Sequence, residues 1–355
     1  MDRKTVSELS SPASSPPRTD LASIQYLRAA AAIAVLVFHA ADRVGVRFGA
    51  GAAGVDVFFV ISGFIMWVIG ARSAATPLDF LRRRAQRIAP LYWLVTLGLA
   101  AAFLVAPGLF RNLQPTPGHV ALSLAFVPHT DPRGQVAPLV EPGWTLNFEV
   151  FFYVVFAACL AVPRSLRLGI LSSVLIGLTL LGAALAPKGP IAQTYTSPLL
   201  LEFLAGVWIG WAWQRGLCPG PRLALALLAA GVCALAALEL MAIDIAPARA
   251  LLWGAPAVAI VWGGLGLERA GKVPDWPAAR LLGDASYSIY LVHGLSIAVA
   301  LRVMSGLGAP DALTIAGLIA AGLAAGLVCY GVIERPISRL LHPRPTRVTA
   351  TSSNS

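Results

Sequence analysis

Long apolar runs separated by short polar segments dominate the chain from residue 21 to residue 333. A run of about 20 apolar residues is long enough to cross a bilayer as an α-helix. We therefore predict an all-α membrane protein, a polytopic bundle of about ten transmembrane helices. The predicted spans cover residues 21–41, 53–71, 88–106, 144–162, 168–186, 197–213, 222–242, 250–267, 283–302 and 312–333.

An even number of spans places both termini on one side of the membrane. If that side is the cytoplasm, nineteen lysines and arginines lie in inner segments and seven in outer segments, and Arg28 lies within a span. Basic residues concentrate on the cytoplasmic side of membrane proteins. The sequence therefore predicts an N-in, C-in topology, and a multi-pass protein of the bacterial inner (plasma) membrane.

Composition supports this class. The chain is 57% hydrophobic and 12% charged, whereas soluble domains carry about 25% charged residues. The net charge of +10 comes from residues scattered at predicted helix ends, so we expect no nucleic-acid partner. The four cysteines show no metal-ligand spacing, and we expect no metal, no bound cofactor and no structural disulfide.

The ends of the chain are polar. Residues 1–20 are rich in serine, proline and charge, a composition typical of a disordered segment, and we interpret them as a cytoplasmic tail. Residues 341–355 are predicted to form a second, short cytoplasmic tail. One transmembrane domain, residues 21–340, lies between them. The first span lacks a clean cleavage site, so we expect it to be retained.

The first span carries two ionisable residues, Arg28 and His39. Such residues within a membrane helix mark functional sites by default. At about 100° per residue the two side chains return to one helix face, separated by about 16 Å along the axis. One helix face thus carries a guanidinium in one half of the membrane and an imidazole in the other.

Two carboxylates lie at a depth similar to that of His39. Asp56 is near the outer end of the second span, and Glu149 is in the outer half of the fourth. A carboxylate next to a histidine fixes its tautomer and raises its basicity, as a general base requires. We therefore predict a catalytic group of His39, Glu149 and Asp56. The alternative is that each residue is a solvated helix end.

A second polar group lies near the predicted inner face. Four arginines precede the third span, and Arg84 and Arg87 are three residues apart and share a helix face. Arginine binds phosphate through paired N–H donors, so these residues, with Arg28, are candidates for binding a phosphorylated cytosolic ligand. The alternative is that they only set orientation and bind anionic lipid.

Other polar or small residues within the spans have two interpretations each. Ser62 and Gly63 lie near mid-membrane, where they either permit close helix packing or leave room for a thin ligand arm. Tyr290 and His293 lie one helical turn apart and are candidates to line a cavity; the alternative is that His293 is a satisfied packing residue. Glu334 and Pro336 are expected to end the tenth helix. The loop 107–143 is expected to cap an outward-facing cavity.

Six motifs in this order resemble the integral-membrane acyltransferase-3 family. The resemblance covers residues 21 to 340. The motifs are Arg28 and His39 separated by ten residues, Gly-Val-Asp-Val-Phe-Phe-Val-Ile-Ser-Gly-Phe at 54–64, Arg-Ala-Gln-Arg-Ile-Ala-Pro at 84–90, Trp-Thr-Leu-Asn-Phe-Glu at 144–149, Ser-Tyr-Ser-Ile-Tyr-Leu-Val-His at 286–293 and Glu-Arg-Pro at 334–336. The family's Trp-Ser-Leu is Trp-Thr-Leu here, which keeps the hydroxyl.

The resemblance implies transfer of an acyl group, commonly acetyl, from cytosolic acyl-CoA to a hydroxyl of a carbohydrate or related acceptor. It implies essential roles for Arg28 and His39, and a role in donor binding for Arg84 and Arg87. Some relatives carry an esterase-like domain after the bundle. We expect no such domain here, which leaves the acceptor less constrained.

Together these observations give one hypothesis. The chain is a membrane O-acyltransferase whose co-substrate is acyl-CoA and whose acceptor is a carbohydrate, glycolipid or glycosylated small molecule, as in polysaccharide biosynthesis. The acyl-CoA-binding residues are Arg28, Arg84, Arg87, Ser62 and Gly63; the acceptor or cavity residues are Trp144, Tyr290 and His293. The rival hypothesis is a proton-coupled transporter or flippase of a polar or lipid-linked solute, in which His39, Asp56 and Glu149 relay protons. A third class, a sensory or scaffold membrane protein, predicts neither activity.

Overall fold

The computed structural model describes residues 21–72, 76–109 and 115–341, and every regular element in these ranges is helical. The predicted tail 1–20 and residues 342–355 of the predicted C-terminal tail lie outside the described residues. The α-helices are α1 (Ala22–Asp42), α2 (Gly54–Arg72), α3 (Pro77–Val105), α4 (Pro117–Leu124), α5 (Gly143–Leu160), α6 (Arg164–Leu185), α7 (Pro190–Tyr195), α8 (Leu200–Gln214), α9 (Pro221–Leu240), α10 (Arg249–Leu252), α11 (Gly254–Arg269), α12 (Pro277–Asp284), α13 (Ser286–Gly306), α14 (Asp311–Cys329) and α15 (Arg335–Leu341).

The predicted all-α polytopic bundle is confirmed. Within the described ranges, nine helical segments are long and apolar enough to cross a membrane. They coincide with nine of the ten predicted spans. The remaining prediction, residues 197–213, corresponds to α8, which has only 15 residues. A helix of this length is about 22 Å long, shorter than the hydrocarbon core of about 30 Å. The N-in, C-in orientation stays a prediction.

The short helix α8 packs along α2 through glycines. A Cβ added to Gly63 would lie 1.9 Å from the carbonyl oxygen of Phe203, and one added to Gly206 would lie 2.0 Å from that of Val60. Further along, Gly210 meets Trp67, so the two helices run in the same direction. This is the direction that alternate crossing predicts for the second and sixth spans.

Gly63 is therefore a packing residue. The prediction that it leaves room for an acyl-CoA arm is wrong, because the space at its Cβ position is filled by the backbone of α8. The packing alternative is right, and it has a physical reason: small residues allow the backbones of membrane helices to approach closely.

Helix α1 lies at the centre of the bundle, in contact with α2, α11, α12, α13 and α14. Glycines again set the distances: a Cβ on Gly283 would lie 2.3 Å from the carbonyl oxygen of Gln25, and one on Gly322 would lie 2.4 Å from the side chain of Leu36. Helices α6 and α9 are the least buried of the spanning helices. Their exposed leucines form an apolar periphery suited to lipid, while the polar residues of α1 face the bundle interior.

The sequence predicted that the last span ends at Glu334, but the helix continues beyond this residue. A π-helical turn, Tyr330–Glu334, follows α14 and leads directly into α15. Pro336 is the second residue of α15. It lacks the N–H that would extend the regular α-helical hydrogen-bond ladder back into the preceding helix, and the π-helical turn lies at this point. The helix thus continues, and Glu334 points into the bundle, where it is 5% exposed.

The packing of α2 on α8 leads to a stability prediction. We expect Gly63→Ala to lower the free energy of unfolding by about 1–3 kcal/mol, as overpacking does, because the new methyl group would displace the backbone of Phe203. Thermal unfolding of the detergent-solubilised protein would measure it. Gly177→Ala in α6, where nothing lies within 4 Å, is the matched control. Equal unfolding midpoints for Gly63→Ala and wild type would contradict this packing.

Candidate active site

Three cavities follow one another through the bundle. The first, which we call the basic mouth, is lined by Arg28, Arg87, Arg335 and Arg339. The second, the arginine cavity, is lined by Arg28, Arg84 and Arg87, so the two cavities share Arg28 and Arg87. The arginine cavity in turn shares Val55 and Tyr290 with the third, the histidine cavity. With their open sides included, the second and third contain about 840 and 960 Å³ of empty space. We call this row of adjacent cavities, which runs between the two ends of α1, the passage.

The arginine cavity brings together the three arginines that the sequence grouped. Arg28 projects from α1, and Arg84 and Arg87 project from one face of α3. The guanidinium carbon of Arg84 lies 6.0 Å from the ring centroid of Phe80, and its buried Nε has no hydrogen-bond partner among the described residues. Arg28 donates a long hydrogen bond of 3.4 Å to Gln25. Guanidinium groups that are this incompletely satisfied fit phosphate oxygens.

Glu149 also lines the arginine cavity, whereas the sequence predicted that it would lie beside His39. Its carboxylate accepts hydrogen bonds from Ser62 Oγ, at 3.2 Å, and from the hydroxyl of Tyr153. His39 lines the histidine cavity instead. The expectation that Glu149 orients His39 is therefore wrong, because α5 directs Glu149 toward the arginines. Ser62 lines the same cavity as Glu149.

His39 faces a second imidazole across the histidine cavity. The ring centroids of His39 and His293 are 4.9 Å apart. His293 is buried, and its Nδ1 lies 2.5 Å from the carbonyl oxygen of Tyr290. Since a carbonyl only accepts, Nδ1 carries the proton and Nε2 is left as an acceptor. Glu141 lines the same cavity. The sequence did not predict this role, because Glu141 belongs to the loop before α5. Its place directly before Pro142 and Gly143, at the start of a helix, was a usable signal.

Asp56 pairs with an arginine and not with His39. It is fully buried and accepts hydrogen bonds from Arg249 Nη2 at 3.0 Å and from Nε at 3.3 Å. The Arg249 guanidinium also lies 5.4 Å from the ring of Trp144 and 5.1 Å from that of Trp253. The expectation that Asp56 orients His39 is therefore wrong. Asp56 instead forms an ion pair that holds Arg249 at the wall of the histidine cavity. Sequence analysis missed Arg249, which it counted as a loop charge.

A second carboxylate stands behind this ion pair. Glu202 of α8 is 2% exposed, and neither of its carboxylate oxygens has a hydrogen-bond partner among the described residues. Glu202 was also missed, although an isolated acid in an apolar run was a signal in itself.

Tyr290 stands between the two cavities. Its hydroxyl lies 3.1 Å from Thr145 Oγ1 and 3.4 Å from the carbonyl oxygen of Pro142, and its ring is 5.8 Å from that of Phe58. These contacts fix the ring at the junction. Of the predicted cavity residues, Trp144, Tyr290 and His293 all line the histidine cavity.

The segment before α5 covers one side of this cavity. Ser123 Oγ in α4 accepts a hydrogen bond of 2.9 Å from the backbone N–H of Leu139, and Trp93 Nε1 donates to the carbonyl of Leu124 at 2.8 Å. This packing brings Glu141 and Pro142 to the cavity wall. The predicted loop therefore contributes to the cavity through its last residues, while residues 110–114 lie outside the described part of the chain.

Comparison with known proteins places this arrangement in context. A family model described as "Acyltransferase domain" matches residues 21–334. The chain is 44% identical over 318 residues to the exopolysaccharide production protein ExoZ of Rhizobium meliloti, covering 89% of this chain and 98% of that protein. It is 31% identical to the acyltransferase MdmB of Streptomyces mycarofaciens, covering 94% of this chain and 96% of that protein.

A more distant similarity is to the putative membrane-bound transacylase BcsY of Komagataeibacter xylinus. The two are 27% identical, over 90% of this chain and 83% of that protein. No solved structure matches the chain significantly.

Proposed function

The chain belongs to the acyltransferase-3 family, a family of membrane acyltransferases, and we propose that it moves an acyl group, most simply acetyl, from acyl-CoA to a hydroxyl of a carbohydrate or related acceptor. The observation that carries the proposal is that a cavity lined by three arginines adjoins a cavity lined by His39. An anionic donor and a nucleophile that approach from opposite ends would meet where the arginine and histidine cavities join.

The donor end is suited to coenzyme A. Arg28, Arg84 and Arg87 present guanidinium groups to one cavity, where apolar walls strengthen their attraction to phosphate. The pantetheine arm would then extend past Ser62 toward Tyr290, with the thioester at the junction. Side chains of Val55, Phe58 and Tyr290 surround this junction, which favours a short acyl group.

The chemistry assigned to His39 is general base catalysis. Its imidazole takes the proton of the acceptor hydroxyl, the oxygen bonds to the thioester carbon, and the carbon–sulfur bond breaks. The proton then passes from the imidazolium to the departing thiolate. His293 and Glu141 share the cavity with His39 and are candidates to orient it. An acyl-histidine intermediate is the alternative route, in which the imidazole itself attacks the thioester.

The histidine cavity suits a sugar acceptor. Trp144 and Trp253 present aromatic surfaces on either side of Arg249, and such rings combine an apolar surface with a nearby hydrogen-bond donor. The relative named for exopolysaccharide production supports a carbohydrate or glycolipid acceptor, and the relative MdmB supports acyl transfer as the reaction. We propose the bacterial inner membrane as the location, with the arginine end toward the cytoplasm.

The geometry does not support the proton relay on which the rival transporter hypothesis depends. It required His39, Asp56 and Glu149 to relay protons together, whereas Glu149 faces the arginine cavity and Asp56 is paired with Arg249. Membrane vesicles given labelled acetyl-CoA separate the two hypotheses. Label on a glycan supports the enzyme, and uptake of solute without acyl transfer supports the transporter.

Loss of the proposed base provides a first test. We expect His39→Ala to lower acyl transfer by at least about 10²-fold, with normal abundance and membrane insertion, because the acceptor hydroxyl then keeps its proton. Transfer of label from acetyl-CoA to the glycan fraction measures it. His129→Ala is the control, since that imidazole packs on His119 and does not line the passage. Wild-type activity of His39→Ala would rule out the catalytic assignment.

Removal of two donor arginines provides a second test. We expect Arg84→Ala combined with Arg87→Ala to raise KM for acetyl-CoA about tenfold or more, because two charge-assisted phosphate contacts are lost. Initial rates over a range of acetyl-CoA concentrations give KM. The matched control is Arg82→Ala with Arg83→Ala, which removes the same charge from exposed positions of the same helix. Equal effects of the two pairs would mean that only overall charge matters.

A further inference from the structure

The π-helical turn at the end of α14 directs one acid toward the donor site. The turn covers Tyr330–Glu334, and such turns occur as local insertions, frequently at functional sites. Glu334 at its end is 5% exposed. An acid at the rim of a helix bundle normally faces solvent, so its burial calls for a partner.

Glu334 has a partner for each carboxylate oxygen. Oε1 accepts a hydrogen bond from Arg87 Nη1, and Oε2 accepts one from Ser288 Oγ at 2.5 Å. Ser288 is fully buried on α13. The carboxylate is therefore fixed between α3 and α13, and its position fixes one edge of the Arg87 guanidinium.

Arg87 stands at the neck between the basic mouth and the arginine cavity, and it lines both. Its guanidinium lies 5.6 Å from the ring of Tyr287, whose hydroxyl is held by the carbonyl of Ile88 at 2.7 Å. Only Nη1 donates to another side chain among the described residues, and the side chain is 33% exposed. The other N–H groups of Arg87 thus remain for a ligand that passes the neck.

We propose that Glu334 is a positioning residue that holds Arg87 at this neck and weakens its grip on phosphate, so that the spent CoA can leave. This inference rests on the proposed function. Four arginines line the basic mouth, with Asp284 and Glu334 as its acids. The four arginines are Arg28, Arg87, Arg335 and Arg339.

The physical reason is the charge of the ligand. Coenzyme A carries several negative charges on its phosphates, and a carboxylate in the same low-dielectric neck repels them over several ångströms. A site with arginines alone would bind donor and product tightly, and turnover would be limited by release. The negative charge of Glu334 weakens the binding of both donor and product. At the same time, its hydrogen bond keeps Arg87 in the orientation that meets the ligand.

The isosteric variant Glu334→Gln separates charge from geometry. The amide oxygen still accepts from Arg87, and the amide N–H₂ donates to Ser288 Oγ, so the contact with Ser288 is kept with its direction reversed. The negative charge is lost while both contacts remain. We expect the Kd for CoA to fall at least about threefold, with a lower KM for acetyl-CoA and a lower kcat because release slows. Glu334→Ala loses the orientation too, so it should bind CoA more weakly than Glu334→Gln.

The experiment is titration of the full-length purified protein, in detergent, with CoA by isothermal calorimetry, together with initial rates. Glu268→Gln is the matched control. Glu268 accepts a hydrogen bond from the backbone N–H of Ser23 at 2.6 Å and does not line the passage, so the variant removes one charge while Kd stays at the wild-type value. Thermal unfolding establishes that each variant is folded.

A Kd for Glu334→Gln that equals or exceeds the wild-type value would overturn the inference and leave the proposed function intact. A fall in Kd of the same size in Glu268→Gln would also overturn it, because overall charge would then explain the effect. Absence of CoA binding by the folded wild type would instead contradict the proposed donor. The two failures are thus distinguishable.

Discussion

Charged side chains inside an apolar bundle need an opposite charge, hydrogen bonds or a cavity beside them, and two ion pairs hold the ends of the passage. Arg87 of α3 meets Glu334 beyond α14, and Asp56 of α2 meets Arg249 of α10. The partners in each pair are far apart in sequence. Each pair therefore fixes the relative position of helices that no local interaction connects, and each leaves its arginine at a cavity wall.

Close helix packing makes this arrangement possible. Glycines let α8 approach α2, and let α12 and α14 approach α1. Since α1 is held on these sides, its polar face is directed to the remaining open space. The two residues of that face, Arg28 and His39, then belong to two different cavities, and Tyr290 lies at their junction. In the proposed mechanism, the spacing of about 16 Å along one helix separates donor binding from acceptor activation.

Features that depend on local periodicity and membrane depth could be predicted from the sequence. Nine spanning segments, the shared face of Arg28 and His39 and the shared face of Arg84 and Arg87 are of this kind. Features that depend on the rotation of each helix about its axis could not be predicted from the sequence. Glu149, predicted to lie at the depth of His39, faces the arginines. Asp56 faces Arg249, and Glu334 continues a helix that was predicted to end at Glu-Arg-Pro. Rotation is decided by tertiary contacts, such as the backbone approach at Gly63, that no single segment contains.

The central claim is that donor and acceptor reach the junction from opposite ends. The most direct measurement supplies labelled acetyl-CoA separately to each face of sealed, oriented vesicles that contain the full chain and its glycan acceptor. The account predicts acyl transfer only when acetyl-CoA is supplied at the face where α1 begins, the face of Arg28 and Arg87. Equal transfer from either face, or transfer only from the face of His39, would contradict it.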